Sequence, residues 1–400
     1  MRELIKLTVI LTVVIFVFAC QSKQISKPDF IHENIDFAVA QYGLQTKAIE
    51  DSGRVLNPRN YIDGKIRYIN PQDWTSGFFS GSMWQLYDLT GDTKWKAFGE
   101  KYSEALDTVQ YLTWHHDVGF MIGCSYGNGL RLSDNNAYKD VVIQAAKSLS
   151  TRFRSTAGIL QSWNVDNGWQ SERGWECPVI IDNMMNLELL FKATELSGDS
   201  SFYNIAVSHA KQTLKHHFRP DNSTWHVIDY SLKDGSVFNK HTAQGFAHES
   251  TWARGQSWAI YGFVVAYRET GNIKYLEQAQ KAYAFVDNHP NLPKDRIPYW
   301  DFNAPNIPNE LRDASSAAVM ASALYEMSIH TNNNKYKVKA DEIMNSLASD
   351  AYRAKLGENG FFLLMHSVGS IPHNAEIDVP INYADYYFLE ALKRKRDIEK

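Results

Sequence analysis

One short punctuation mark recurs along this chain and restricts its fold more than any other feature. A helical run closes on Leu89-Thr90-Gly91-Asp92, and a second run starts at Trp95. The same event falls at Leu196-Ser197-Gly198-Asp199 and at Glu269-Thr270-Gly271-Asn272, with looser versions at Leu132-Ser133-Asp134-Asn135 and His330-Thr331-Asn332-Asn333. Glycine ends a helix by taking the left-handed conformation. The Asp or Asn that follows caps the next helix by accepting its free N–H groups. A turn this short makes the two helices antiparallel neighbours. Five hairpins follow, and a sixth pair forms if residues 33–48 pack beside 383–394 and so close a ring.

The first helix of each pair is rich in small and apolar residues, as in 252–267 and 315–327. The second carries more Lys, Glu and Gln. Helices that are apolar all round are buried, and amphipathic ones lie outside. The expected fold is therefore all-α, a single-domain α/α toroid with six inner and six outer helices. The rival is an open helical-repeat solenoid. Its period is near constant, whereas these marks fall roughly 43, 64, 73 and 61 residues apart. Uneven insertions suit a barrel with loops built over one mouth.

Arg2 and Lys6 precede an apolar run from Leu7 to Ala19, followed by Cys20. This pattern reads as a signal peptide, too short to span a bilayer comfortably. Val17-Phe18-Ala19-Cys20 resembles a bacterial lipobox, which implies cleavage before Cys20 and lipidation of its thiol. The expected organisation is a lipoprotein signal over 1–20, a polar tether over 21–29 and a single barrel domain over 30–400. No acidic export signal follows Cys20, so a periplasm-facing lipid anchor is favoured over the cell surface. Only Cys124 and Cys177 remain in the mature chain, too few for a disulfide framework, and their pairing stays open. A formal net charge of −4 gives no electrostatic reason to bind nucleic acid. With 13% aromatic residues, 11 of them Trp, the chain is not disordered, and it has rings to spare for a sugar-stacking cleft.

The chemically loaded residues sit in the connections before inner helices or in their first turns. These are Trp74-Thr75-Ser76, His115-His116-Asp117, Ile181-Asp182-Asn183, Trp252 to Trp258 with Arg254 among them, and Arg312-Asp313. In an alternating ring all these points share one end and converge on one mouth. Plainer readings stand beside the functional ones. Asp182 and Asp313 suit helix caps, Asp117 a turn, and Trp74 and Trp258 core. His115-His116-Asp117 lacks the spacing of a metal site, and no phosphate loop, dinucleotide fingerprint or nucleophile elbow occurs, so neither metal nor cofactor is expected. Aromatic faces with a few polar groups describe a sugar site. Two carboxylates at that mouth suggest glycosidic chemistry, in which one must hold a proton near neutral pH. Asp182 follows the apolar run Pro178 to Ile181, so desolvation favours it, while a helix N-terminus opposes the shift.

Taken in order, HHDVGF, SYGNGLRL, IIDNMMN, STWARGQSWAIYGF, IPYWDF, RDASSAA and VPINYADYYFLEAL resemble the unsaturated glucuronyl hydrolases of glycoside hydrolase family 88, from about Trp74 to Leu392. The resemblance implies an (α/α)6 barrel. It implies a substrate with a 4,5-unsaturated glucuronyl residue at its non-reducing end, left there by an upstream polysaccharide lyase. The reaction it implies is hydration of the vinyl ether, with a proton added at C4 and water at C5. By matched position, Asp182 is the implied general acid/base and Asp117 the second essential carboxylate. Trp74, His116, His226, Gln244, Arg254 and Trp258 are the implied sugar contacts, His226 lying in the loosest match. Asp117 favours this activity over the related unsaturated rhamnogalacturonyl hydrolases. A non-catalytic glycan-binding lipoprotein and a helical-repeat adaptor are the readings from other classes. Among source polymers ulvan is favoured by analogy and glycosaminoglycans come next. His366, Ser367 and His373 either face a sulfate or belong to a solvated loop.

Overall fold

The computed structural model describes residues 29–400. The signal peptide, Cys20 and all but the last residue of the tether lie outside the described residues.

Twelve helical rods alternate around a ring. They are α1 (Phe30–Asp51), α2 (Ser76–Thr90), α3 (Thr93–Glu104), α4 (118–132), α5 (Ala137–Ser150), α6 (181–197), α7 (Ser200–His216), α8 (Ala253–Thr270), α9 (Ile273–Asp287), α10 (Ala314–Thr331), α11 (Asn334–Leu347) and α12 (Asn382–Glu399). The even-numbered rods form the inner ring and the odd-numbered ones the outer ring. α4 has a π-helical turn at Gly123–Gly127, and α6 opens with a 3-10 turn at Ile181–Asn186. The toroid expected from the punctuation is the architecture observed, an (α/α)6 barrel.

The turn marks behave as their chemistry requires. Gly91, Gly198 and Gly271 take φ of 72°, 75° and 66°. Asp92, Asp199 and Asn272 then accept the N–H of Lys94, Ser201 and Lys274. Asn332 replaces glycine at the fifth mark with φ 49°, and Asn333 caps α11. α10 is buried from Ala314 to Ser328 without a break, whereas α11 buries one stripe, as inner and outer positions demand. The ring closes between α12 and α2. Asn382 Nδ2 donates to the carbonyls of Pro58 and Thr75, both at 3.1 Å, and at the opposite end Arg396 pairs with Asp88 at 2.8 Å.

The connections from outer to inner helices hold strands that periodicity did not reveal. β1 (Asn57–Ile62) pairs with β2 (Lys65–Ile69), and β3 (Phe153–Arg154) with β4 (Ile159–Leu160). β5 (Pro178–Ile180), β6 (Val227–Tyr230) and β7 (Val237–His241) form an antiparallel sheet. Runs this short cannot be told from buried helix by pattern alone. All three sheets crown the mouth where the inner helices start. Cys124 and Cys177 are free and buried, one in α4 and the other beside β5.

Close approach between inner helices rests on glycine. A Cβ at Gly77 in α2 would collide with the backbone carbonyl of Met121 in α4. At Gly198 a Cβ meets open space, and only the left-handed backbone resists it. Gly198→Ala is therefore expected to cost about 1 kcal/mol. Gly77→Ala is expected to cost more, about 3 kcal/mol, because two backbones must part. Urea denaturation midpoints of the two variants check the order.

Candidate active site

The crown encloses a cleft of ≈ 490 Å³ over the starts of the inner helices. That size suits a small ligand. Six of the eight residues expected there line it: Trp74, His116, Asp117, Asp182, Gln244 and Arg254. The other two, His226 and Trp258, are buried behind this wall.

Asp182 stands at the junction of β5 and α6. β5 pairs with β6, and the Ile181 N–H donates to the His226 carbonyl at 3.0 Å. This pairing places the His226 imidazole behind Asp182, with Nε2 3.8 Å from Oδ1. His226 Nδ1 accepts the N–H groups of Ala243 and Gln244 at 3.1 and 3.3 Å. The ring proton therefore sits on Nε2 and faces the carboxyl. Burial, with Arg254 next, holds this histidine far below its usual value, so it is neutral. Trp258 in α8 packs edge-on against Tyr387 at 5.5 Å and tilted on Phe120 at 5.3 Å, leaving its ring fully enclosed. Residues 226 and 258 thus support Asp182 from behind and present no face to the cleft.

Asp182 caps nothing. Its Oδ1 is buried without a hydrogen-bond partner, and burial raises its pKa to about 7. Arg254, its own N–H and the Trp258 indole pull the other way and do not win. Desolvation outweighs the helix N-terminus that the sequence set against it. Asp313, the other cap candidate, is a cap: its Oδ1 accepts the Ser315 N–H at 3.1 Å.

Asp117 precedes α4, and its side chain caps nothing either. Asn186 of α6 donates to its Oδ1 at 3.3 Å and accepts the Phe120 N–H at 2.9 Å. A Cβ on Gly119 would stand 2.5 Å from the Asn186 Cα, so glycine is what lets α4 and α6 close over this bond. His116 Nε2 lies 3.3 Å from Asp117 Oδ2. His115 Nδ1 accepts the Asp117 N–H at 3.1 Å, and burial drops this imidazole to about 4. Neither histidine carries charge at neutral pH, so neither forms an ion pair there. Burial and then the neighbouring Asp182 push Asp117 well above the carboxylate range.

Arg254, in the first turn of α8, is the cation of the cleft. Nη1 meets Asp313 at 3.1 Å and the Val368 carbonyl, and Nη2 donates to the Gly369 carbonyl at 2.6 Å. Its guanidinium lies 4.5 Å from the Trp252 ring. Gln244 Nε2 also donates to the Gly369 carbonyl, at 3.3 Å. Trp74 sets an edge against Phe78 and Phe120 and lines one wall.

The opposite wall escaped the sequence reading. Trp114, Ser162, Trp163, Asn164, Asn167 and Gln170 line it. Trp163 stacks on Trp175 at 5.8 Å and meets Trp169 edge-on at 5.0 Å. A signal was available, since Trp163, Trp169 and Trp175 recur every six residues in the connection before α6.

A family model described as Glycosyl Hydrolase Family 88 matches residues 56–392. The chain belongs to that family. Within family 88 it is 50% identical, over 83% of its length and 82% of the relative's, to an unsaturated glucuronyl hydrolase of Formosa agariphila. An unsaturated glucuronyl hydrolase of Bacillus sp. strain GL1 is 32% identical, over 83% of this chain and 89% of its own. A crystal structure of an unsaturated glucuronyl hydrolase specific for heparin superposes with a TM-score of 0.88 at 43% identity, over 93% of this chain and 98% of that one. The family 88 membership makes this chain a glycoside hydrolase.

The raised value at Asp182 has a stability consequence. The folded state keeps its proton up to about pH 7, the unfolded chain only to about 3.9. Stability is therefore lost as pH rises between those values, by up to about 4 kcal/mol at ~1.4 kcal/mol per unit. Asp182→Asn is expected to be more stable than the parent at pH 8 and to lose that advantage towards pH 4. Denaturant titrations at both pH values check this.

Proposed function

We propose that this protein removes the 4,5-unsaturated glucuronyl residue from the non-reducing end of lyase-generated oligosaccharides. One observation carries the reading: Asp182 stands on the wall of a sugar-sized cleft with its Oδ1 buried and unpartnered, and that burial raises its pKa to about 7. The 50% identity to an unsaturated glucuronyl hydrolase supports it.

In this reading Asp182 gives its proton to C4 of the vinyl ether. Positive charge develops at C5 and the ring oxygen, and water adds at C5. Deprotonated Asp182 takes a proton from that water and is restored. The hemiketal opens to a ketone at C5 and a hemiacetal at C1. Collapse of the hemiacetal to an aldehyde releases the leaving sugar, so one water is consumed and one glycosidic link is lost. Asp117, tied to Asn186, orients the sugar beside Asp182, and His116 and Gln244 offer it polar contacts. Arg254 attracts the uronate carboxylate, and Trp74 stacks on the flattened ring. His226 and Trp258 act through Asp182.

Glycosaminoglycan ends are the first substrate class, on the likeness to the heparin-specific enzyme. Ulvan-derived ends are the second, and a lyase need only precede this enzyme in the reaction sequence. We also propose lipidation at Cys20 and a periplasm-facing anchor. α1 starts at the end of the barrel opposite the cleft, so an anchor there leaves the mouth open to substrate.

The conjugated double bond absorbs in the ultraviolet, and hydration destroys it. The protein is expected to bleach unsaturated heparin-type disaccharides. Asp182→Asn should slow bleaching by at least ~10²-fold with binding retained. Turnover should fall as pH rises through about 7, where the acid loses its proton. A folded Asp182→Asn variant with near-parental rates would refute the assignment, and a parent that binds without bleaching would favour a glycan-binding protein.

A further inference from the structure

We infer that Arg152 is a positioning residue for the carboxylate pair: it clasps the segment leading to His116 and Asp117 to residues 161–164 of the cleft lining, with a positive charge that no carboxylate hydrogen-bonds. The inference rests on the hydrolase reading above for its kinetic half only.

Arg152 follows α5 and is 2% exposed. Nε donates to the Gln161 carbonyl at 2.7 Å and Nη1 to the Thr113 carbonyl at 3.0 Å. Nη2 donates to the Ser162 carbonyl and to Asn164 Oδ1, both at 3.1 Å. None of these partners is a carboxylate. A buried guanidinium without a counter-ion is costly, and a neutral donor would serve for carbonyls alone. Both clasped segments lead straight into the lining of the cleft, since Trp114, His116 and Asp117 follow Thr113, and Ser162, Trp163 and Asn164 follow Gln161. One planar fork fixes both, which a lysine ammonium cannot do.

The charge is also felt at Asp117, beyond the groups that the fork holds. Asp117 is faced by Asp182, Asp73, His115 and His116, with Asn186 donating to it and Arg152 as its cation. Arg152 is itself faced by Arg154, Cys177 and Asp117. Asp182 has a separate cation in Arg254. Each buried carboxyl of the pair thus has its own arginine, one shared with Asp313 and one held only by carbonyls.

Two variants separate clasp from charge. Arg152→Gln keeps a hydrogen-bonding side chain without the charge, and Arg152→Lys keeps the charge without the fork. Titration of ¹³C-labelled aspartate carboxyls, assigned with Asp117→Asn and Asp182→Asn, is expected to move Asp117 upward by about one unit in Arg152→Gln. In Arg152→Lys it should stay within a few tenths of the parent. Turnover of unsaturated disaccharide should fall about 10-fold or more in Arg152→Lys, because His116 and Asp117 are displaced relative to Asp182. An unmoved Asp117 titration in Arg152→Gln overturns the charge role. Parental turnover in Arg152→Lys overturns the clasp, as does a lowered melting temperature with unchanged turnover and titration. Should Arg152→Gln not fold, a shifted Asp117 in Arg152→Lys overturns the charge role on its own. An inactive parent refutes the hydrolase reading, and the carboxyl titration still judges Arg152.

Discussion

The contact between Gly119 and Asn186 is the interaction on which the site depends. Asp117 immediately precedes α4 and Asp182 lies in the first turn of α6, so the distance between the two acids is set by how closely these helices pack. Glycine removes the side chain that would hold them apart. Asn186 then uses that closeness twice, accepting the Phe120 N–H and donating to Asp117. A helix-packing detail thereby sets the spacing of the two buried carboxyls. The rest of the barrel serves the same end, since a closed ring of inner helices allows no one pair to slide without disturbing its neighbours.

Around that contact the protein builds a low-polarity chamber with few full charges. Its histidines are buried and neutral, and its carboxyls hold protons that solvent would take. The cations are arginines, which keep their charge under desolvation better than lysine or histidine. Arg254 is wrapped by Asp313, two carbonyls and the Trp252 face, so its position is fixed before substrate arrives. Arg59 plays a similar part at the rim. It joins Asp73, beside Trp74, to Glu376 in the loop that supplies the carbonyls to Arg254, each at 2.6 Å. Preorganised dipoles and charges of this kind cost no rearrangement during reaction.

Much of this was legible in the sequence. Gly91-Asp92 and its repeats announced the hairpins because left-handed glycine and a capping acid are local chemistry. The inner ring was legible because residues such as those from Ala314 to Ser328 leave no polar face. The connections before inner helices marked the mouth, and six of the expected residues meet there. His226 and Trp258 were harder to place, because a residue type does not say on which side of a wall it stands. The balance at Asp182 was also hidden, since a helix start and an apolar run pull oppositely and only the burial of Oδ1 decides. The tryptophan wall from Trp163 to Trp175 is not legible from helix starts, because it lies in a connection whose own fold is short strands and turns.

Alternation around the ring also fixes where the chain enters and leaves. Every inner helix starts at the mouth, so α12 ends at the far side, and α1, an outer helix, begins there. Lys395 of α12 lies 5.7 Å from the Phe30 ring. The far side carries tight turns such as Gly198-Asp199 and Gly271-Asn272, which are absent from the lining of the cleft. The barrel therefore tolerates a change of connectivity. Bridging Glu399 to Phe30 and reopening the chain at one of those turns would make a circular permutant with its crown, cleft and carboxyl pair unaltered. Order along the chain and order around the ring are separable in this fold, and only the second is needed for chemistry.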